Sequence, residues 1–330
     1  MTLSAAIARR GFRSAAPDGR FAALSGAPSW LPILIFSAVG STLGLIAGFR
    51  FKPEPLITSM VPLSLVSFAS SMLLRRHEVR AIGFFFNALL QFLVIAFASM
   101  LLTYAAATLH RPLADGVLIR VDLSMGYDWR GYAEFVSVNT TLVTALARAY
   151  TSIFMQPVAL LALLTLDRRF EQAQCLLLAT MISLILTAAI FAVFPATTAW
   201  TATGVPEHLV APLHLPVKST GWIHDLLEIR AGRGRLLDPN SGSALVAFPS
   251  FHATAALLYC WAAWPLRNLR PAFFALNAAM IAATPIFGGH YLADLLGGAA
   301  VTACSIPLAR LLQLRLLEMP RNQKPETCPR

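Results

Sequence analysis

Eight stretches of this 330-residue chain are apolar enough and long enough to cross a bilayer, and they leave little choice of fold. They cover residues 31–49, 56–74, 82–107, 141–163, 173–195, 246–265, 271–288 and 290–314. A span needs about 20 apolar residues, and inside hydrocarbon only helices and closed barrels satisfy their own backbone. Continuous apolar runs without period-two alternation point to helices. No strand pattern and no internal repeat is visible. Only 13% of the residues are charged, roughly half the share of a soluble domain. The expected fold is all-α, a polytopic membrane bundle of about eight transmembrane helices.

The net charge is +10. Its basic residues sit in short clusters between apolar runs, the pattern that sets membrane topology, so no nucleic acid is expected as a partner. With the spans alternating, sixteen Lys and Arg fall on the side of both termini and nine on the other. The positive-inside rule then places both termini in the cytoplasm and the long loops 108–140 and 196–245 outside. High Ala, Leu and Arg usage with few Lys suits a bacterial inner membrane, the loops facing the periplasm. Residues 1–28, with Arg9, Arg10, Arg13 and Arg20, read as a disordered basic tail rather than an organelle transit peptide. The polar, amphipathic segment 104–138 reads as short helices on the outer leaflet. Arg148, inside the fourth span, either snorkels to the interface or meets an anionic headgroup. Cys175, Cys260, Cys304 and Cys328 form no CxxC pair; the first three lie in apolar runs and read as small buried hydrophobes.

Two polar clusters interrupt the last three spans: Phe248-Pro249-Ser250-Phe251-His252-Ala253-Thr254 and Gly288-Gly289-His290-Tyr291-Leu292-Ala293-Asp294. His252 and His290 are 38 residues apart, and two crossings joined by a tight turn take about 40. Both imidazoles therefore belong at the same membrane face. His290 and Asp294, four apart on a helix, share one face. A carboxylate there fixes the imidazole tautomer and leaves the other ring nitrogen as a nucleophile. A second histidine across the pocket can protonate a leaving oxygen. Pro249 and Ser250 suit a helix start, where unpaired N–H groups favour an anion. A buried polar pair is the alternative for either cluster alone. A zinc site would need a third ligand, and His208, His214 and His224 follow no zinc spacing. No metal or other cofactor is expected.

The motifs Pro-Ser-Phe-His and Gly-Gly-His-Tyr-Leu-Ala-Asp resemble the second and third signatures of the type 2 phosphatidic acid phosphatase superfamily. Phe-Pro-Ser-Phe-His-Ala, preceded by Leu-Glu-Ile-Arg, is similar to the branch that contains inositol phosphorylceramide synthases. The resemblance covers roughly residues 190–303. It implies His290 as the nucleophile forming a phosphohistidine, Asp294 as its orienting carboxylate and His252 as general acid. It also implies Ser250 and the backbone N–H of Phe251 as phosphate ligands, without a metal. Two family elements are missing. Thr284 stands where the phosphatase branch has Arg, and Lys218 is followed seven residues later by Asp225 rather than Arg-Pro. Arg230, matching the synthase-like branch, is the first candidate to neutralise the phosphate, followed by Arg233, Arg235 and Lys218. By the same resemblance residues 81–317 form a six-helix catalytic core, behind two extra spans in 29–80 and before a cytoplasmic tail, 318–330. The substrate class implied is a phospholipid or isoprenoid phosphate, hydrolysed by a lipid phosphatase. The alternatives are a head-group phosphotransferase and a non-catalytic lipid carrier or scaffold.

Overall fold

With no water to take up their amides, the apolar runs close their hydrogen bonds internally, and all eight are helical. The structure, a computed structural model, describes residues 18–76, 79–203, 221–237 and 245–318. Its first helices are α1 (Asp18–Ser25), α2 (Ala27–Ile46), α3 (Pro53–Leu74) and α4 (Arg80–Ala107). Two short helices follow, α5 (Asp115–Ser124) and α6 (Trp129–Ser137), then α7 (Thr140–Thr151), α8 (Gln156–Leu166) and α9 (Phe170–Val193). The outer segment after α9 carries α10 (Ala199–Thr203) and α11 (Gly221–Arg230), and the chain ends in α12 (Phe251–Ala263), α13 (Arg270–Phe287) and α14 (Leu292–Glu318). Among the described residues the only strands are β1 (Arg50–Phe51) and β2 (Leu236–Leu237), paired in parallel. Two residues are too few to leave a pattern in sequence.

Five helices are long and apolar enough to cross a membrane alone: Arg20–Ile46, Arg80–Ala107, Phe170–Val193, Arg270–Phe287 and Leu292–Glu318. The fourth expected span is broken: α7, ending in a tight turn at Ser152–Phe154, meets α8 at 59°. Pro157 cannot donate to the carbonyl of Ile153, which instead accepts from the Tyr259 hydroxyl at 3.2 Å. Counting that pair once gives up to six among the described residues, by length and composition; the expected count of eight is not confirmed. Two further apolar stretches, Pro62–Leu74 within α3 and Phe251–Ala263, are shorter. Thirteen residues make α12 about 20 Å long. Just past its C-terminal end Trp264 lies 4.5 Å from the Arg270 guanidinium in a cation–π contact.

Side chains facing outward are apolar, as lipid requires: Ile35, Ile46 and Leu65 are among the exposed residues. Between helices, buried amides act as glue. Gln174 donates to Gln91, Gln91 to Ser29, and Asn277 to Gln156. The last part of the expected N-terminal tail is not a free coil. Helix α1 buries Phe21 against Phe84 and Phe170, with ring centroids 5.9 and 5.0 Å apart. Cys175 is buried, but Cys304 faces outward on α14, and Cys328 lies outside the described residues. Arg148 is exposed on α7, on an open groove of about 300 Å³ shared with Thr140, Thr141, Thr144 and Ala145.

At the end where α13 gives way to α14, α5 and α6 close over the bundle. Trp129 donates to the Pro285 carbonyl at 3.1 Å and Tyr132 to that of Ala282 at 2.8 Å. The first occupies an acceptor that the end of α13 leaves orphaned.

Candidate active site

Three helix termini meet beneath this cover. Ser250 caps α12, its Oγ accepting from the Ala253 N–H at 3.3 Å, so the amides of the first helical turn point into the site. Phe251, first in the helix, has no intrahelical acceptor for its N–H, and His252 follows it. Helices α12 and α14 touch backbone to backbone. A Cβ on Gly298 would lie 2.5 Å from the Ser250 carbonyl. Thr254 donates to the Gly298 carbonyl at 3.1 Å, and Thr302 donates to that of Thr254 at 3.1 Å. The Ser250 N–H, in turn, donates to the carbonyl of Asp294 at 3.0 Å. Small residues are what permit so close an approach.

His290 sits in the turn between α13 and α14. Its Nδ1 lies 2.9 Å from Asp294 Oδ2, which also accepts the Tyr291 N–H at 3.0 Å. His290 is 4% exposed and Asp294 fully buried. The other carboxylate oxygen of Asp294 is buried with no hydrogen-bond partner. The His252 and His290 rings are 6.5 Å apart between centroids, inclined at 57°. The i, i+4 contact expected from spacing is present, although His290 lies in the turn ahead of the helix, which begins at Leu292. Two glycines make the turn possible. A Cβ on Gly288 would collide with the His290 ring, and Gly289 has φ +63°, with Thr198 2.7 Å from where its Cβ would be.

Sequence reasoning missed several residues that contact this arrangement. Tyr150, on α7, stacks on His252 at 3.9 Å and 9°. Asp122 accepts the Leu292 and Ala293 N–H groups, each at 2.9 Å. Asp115 accepts from the Tyr291 hydroxyl at 2.9 Å and from Thr197. Burial pushes the Asp122 carboxyl above the usual range, opposed by the two amides it accepts. The partners in these contacts are between 82 and 176 residues apart, and no local pattern reveals them.

Other expected residues stand elsewhere. Arg230 donates to the Arg111 carbonyl at 2.8 Å, at the end of α11, and no described contact joins it to either imidazole. Arg233 is paired with Glu228, which holds that carboxyl below the usual range. Arg235 stacks over Phe49 at 4.8 Å. Thr284, at the position of the family Arg, is fully buried and donates to the Met280 carbonyl of its own helix at 2.7 Å. His224 is exposed on α11; Lys218, His208 and His214 lie outside the described residues. Among the described residues no three His, Cys, Asp or Glu side chains converge as a metal site.

Compared with known families, residues 116–308, more than half of the chain, match the PAP2 superfamily. No curated protein and no solved structure matches the chain.

Proposed function

The chain belongs to the PAP2 superfamily, and from that premise we propose that it is a lipid phosphatase acting through a phosphohistidine at His290. Membership and the apolar helices make it an integral membrane protein and a phosphatase-type phosphoesterase; the substrate and the chemical steps are this reading's own. The observation that carries it is the 2.9 Å contact of His290 with buried Asp294, facing His252 across 6.5 Å.

The proposed reaction uses groups already oriented. Nδ1–H of His290 donates to Asp294, leaving the Nε2 lone pair to attack phosphorus. As the N–P bond forms, the P–O bond to the lipid breaks, and protonated His252 gives its proton to the departing oxygen. Asp294 balances the positive charge that the phosphorylated imidazole acquires. Water then attacks phosphorus, yielding a proton to His252, and the N–P electron pair returns to His290 as phosphate leaves. The amide of Phe251, the hydroxyl of Ser250 and the α12 dipole stabilise the phosphate oxygens. Arg230, now held by the Arg111 carbonyl, is the first candidate for the cation and would have to turn toward the phosphate to supply it. A phosphatidate-like lipid or an isoprenoid (di)phosphate fits a site lying among membrane helices. The charge distribution supports an inner-membrane protein with this face in the periplasm.

A head-group phosphotransferase of the inositol phosphorylceramide synthase kind is the second reading, and buried Thr284 favours it. The Arg that phosphatase relatives use has no counterpart there, so the phosphate cradle differs. An alcohol would replace water in the second step. A non-catalytic carrier would have no use for a buried His290–Asp294 pair.

Purified protein, incubated with a panel of lipid phosphates with and without acceptor alcohols, tests this directly. Free phosphate, inhibition by vanadate and loss of turnover in His290→Ala are expected. A new phosphodiester in place of phosphate selects the transferase. Undiminished turnover in His290→Ala removes the phosphohistidine.

A further inference from the structure

His290 holds its place through its neighbours. The turn that carries it, residues 289–294, is tethered at nearly every position. The Gly289 carbonyl accepts from Ala199 N–H at 2.7 Å. The Tyr291 hydroxyl reaches Asp115 at 2.9 Å, and the Leu292 and Ala293 amides reach Asp122. The Asp294 carbonyl accepts from Ser250 N–H at 3.0 Å. Two of these anchors are carboxylates on one short helix, α5. Seven residues separate them, two turns, so they emerge on one face. Leu118 is buried between them, while Val117, Val121 and Leu123 are exposed on other faces.

Burying a carboxylate is costly unless it is hydrogen-bonded. Asp115 and Asp122 are 9% and 5% exposed. Asp122 spends both oxygens on the first turn of α14, where the helix dipole favours an anion. Asp115 spends its oxygens on Tyr291 and on the N–H and hydroxyl of Thr197. A helix start that needed only a cap has one in its own sequence, since Asp294 already takes the Tyr291 N–H. The additional carboxylates therefore fix where that start lies relative to α12.

We infer that Asp115 and Asp122 form a two-point brace on α5 that positions the His290 nucleophile, Asp122 by holding the start of α14 and Asp115 by holding Tyr291. The inference rests on the proposed role of His290. Neither carboxylate touches substrate; each acts through the turn. Misplacing a reacting atom by about 1 Å can cost about 10²-fold in rate. Substrate binding, made through the lipid body and phosphate oxygens, is left largely intact.

The test uses full-length protein in lipid micelles, with whichever lipid phosphate the wild type hydrolyses, and vanadate as the transition-state probe. Tyr291→Phe deletes the hydroxyl held by Asp115, and Asp122→Asn removes one of two acceptors; Asp122→Ala removes both. We expect kcat to fall about tenfold in Tyr291→Phe and Asp122→Asn, and about a hundredfold in Asp122→Ala. KM should stay within about twofold, while vanadate affinity falls in step with kcat. Val121→Ala, on another face of α5, should match the wild type. If Asp122→Ala fails to fold, Tyr291→Phe and Asp122→Asn decide. Wild-type kcat in both overturns the brace. So does a loss of kcat and melting temperature together with unchanged vanadate affinity, which marks a purely structural role. Full turnover in His290→Ala is the separate result by which the phosphohistidine reading fails.

Discussion

Replacing Asp294 by Asn keeps the shape of the site and removes its charge. The wild-type carboxylate uses one oxygen, Oδ2, for both the His290 ring and the Tyr291 N–H. The Asn carbonyl oxygen can occupy that position and accept both. Its NH₂ then lies where Oδ1 was, buried and without an acceptor. Leaving a buried donor unpaired costs about 1–3 kcal/mol, which lowers the melting temperature without unfolding the bundle. The kinetic loss is larger, because a neutral amide no longer offsets the charge on the phosphorylated imidazole. If the amide turns over, its NH₂ meets Nδ1 and selects the wrong tautomer. A fall in kcat of about 10²–10⁴-fold is expected, which is about 3–5 kcal/mol of barrier at 1.36 kcal/mol per decade. Phosphate release measured against substrate concentration, beside a thermal melt, separates the two effects. Turnover within about threefold of the wild type, in a protein that melts normally, would refute the orienting role of Asp294.

Tyr150→Ala removes the ring stacked on His252 and should lower kcat about three- to tenfold, from a contact worth about 0.5–1.5 kcal/mol; Tyr150→Phe keeps the stack and should stay within about twofold. Gly298→Val forces a side chain against the Ser250 carbonyl, 2.5 Å from the Cβ position. The overpacking should cost about 1–3 kcal/mol or more, visible as a lowered melting temperature and reduced activity together. Arg230→Ala should raise KM for an anionic lipid about tenfold, as expected for a charge-assisted phosphate contact; an unchanged KM assigns the cation elsewhere. Each activity assay uses the same lipid phosphate and the same micelles.

The helical membrane class was legible because eight apolar runs admit no other backbone solution. The histidine pairing was legible because two spans and a turn fix the distance between His252 and His290. The shapes of two expected spans were not. Hydropathy reads 141–163 as one stretch, but Pro157 costs the helix a hydrogen bond, and the chain bends there instead of continuing. The same index credits 246–265 with a full span, although the helix begins only at Phe251, where Ser250 caps it. The amphipathic segment 104–138 was legible as short helices, but the direction of its acidic residues was not. Asp115 and Asp122 point inward, and only their distant partners, Tyr291, Thr197, Leu292 and Ala293, reveal it. Tyr150 belonged to an apolar run and carried no signal of its own.

The shortness of α12 decides how reactants arrive. Trp264 and Arg270 pack together at its C-terminal end, and an aromatic beside a basic residue suits a membrane interface. From there about 20 Å of helix reaches only part way across a hydrocarbon layer of about 30 Å. On the proposed reading, with α12 starting at one boundary, its other end and the two imidazoles lie about 10 Å short of the far one. For the lipid phosphate proposed as substrate, the headgroup would sink to meet them and its acyl chains would stay in the leaflet. Water, in contrast, reaches phosphorus molecule by molecule through whatever gap the cover of α5 and α6 leaves. The ratio of hydrolysis to alcoholysis is then governed by hydration of that passage as much as by the histidines themselves.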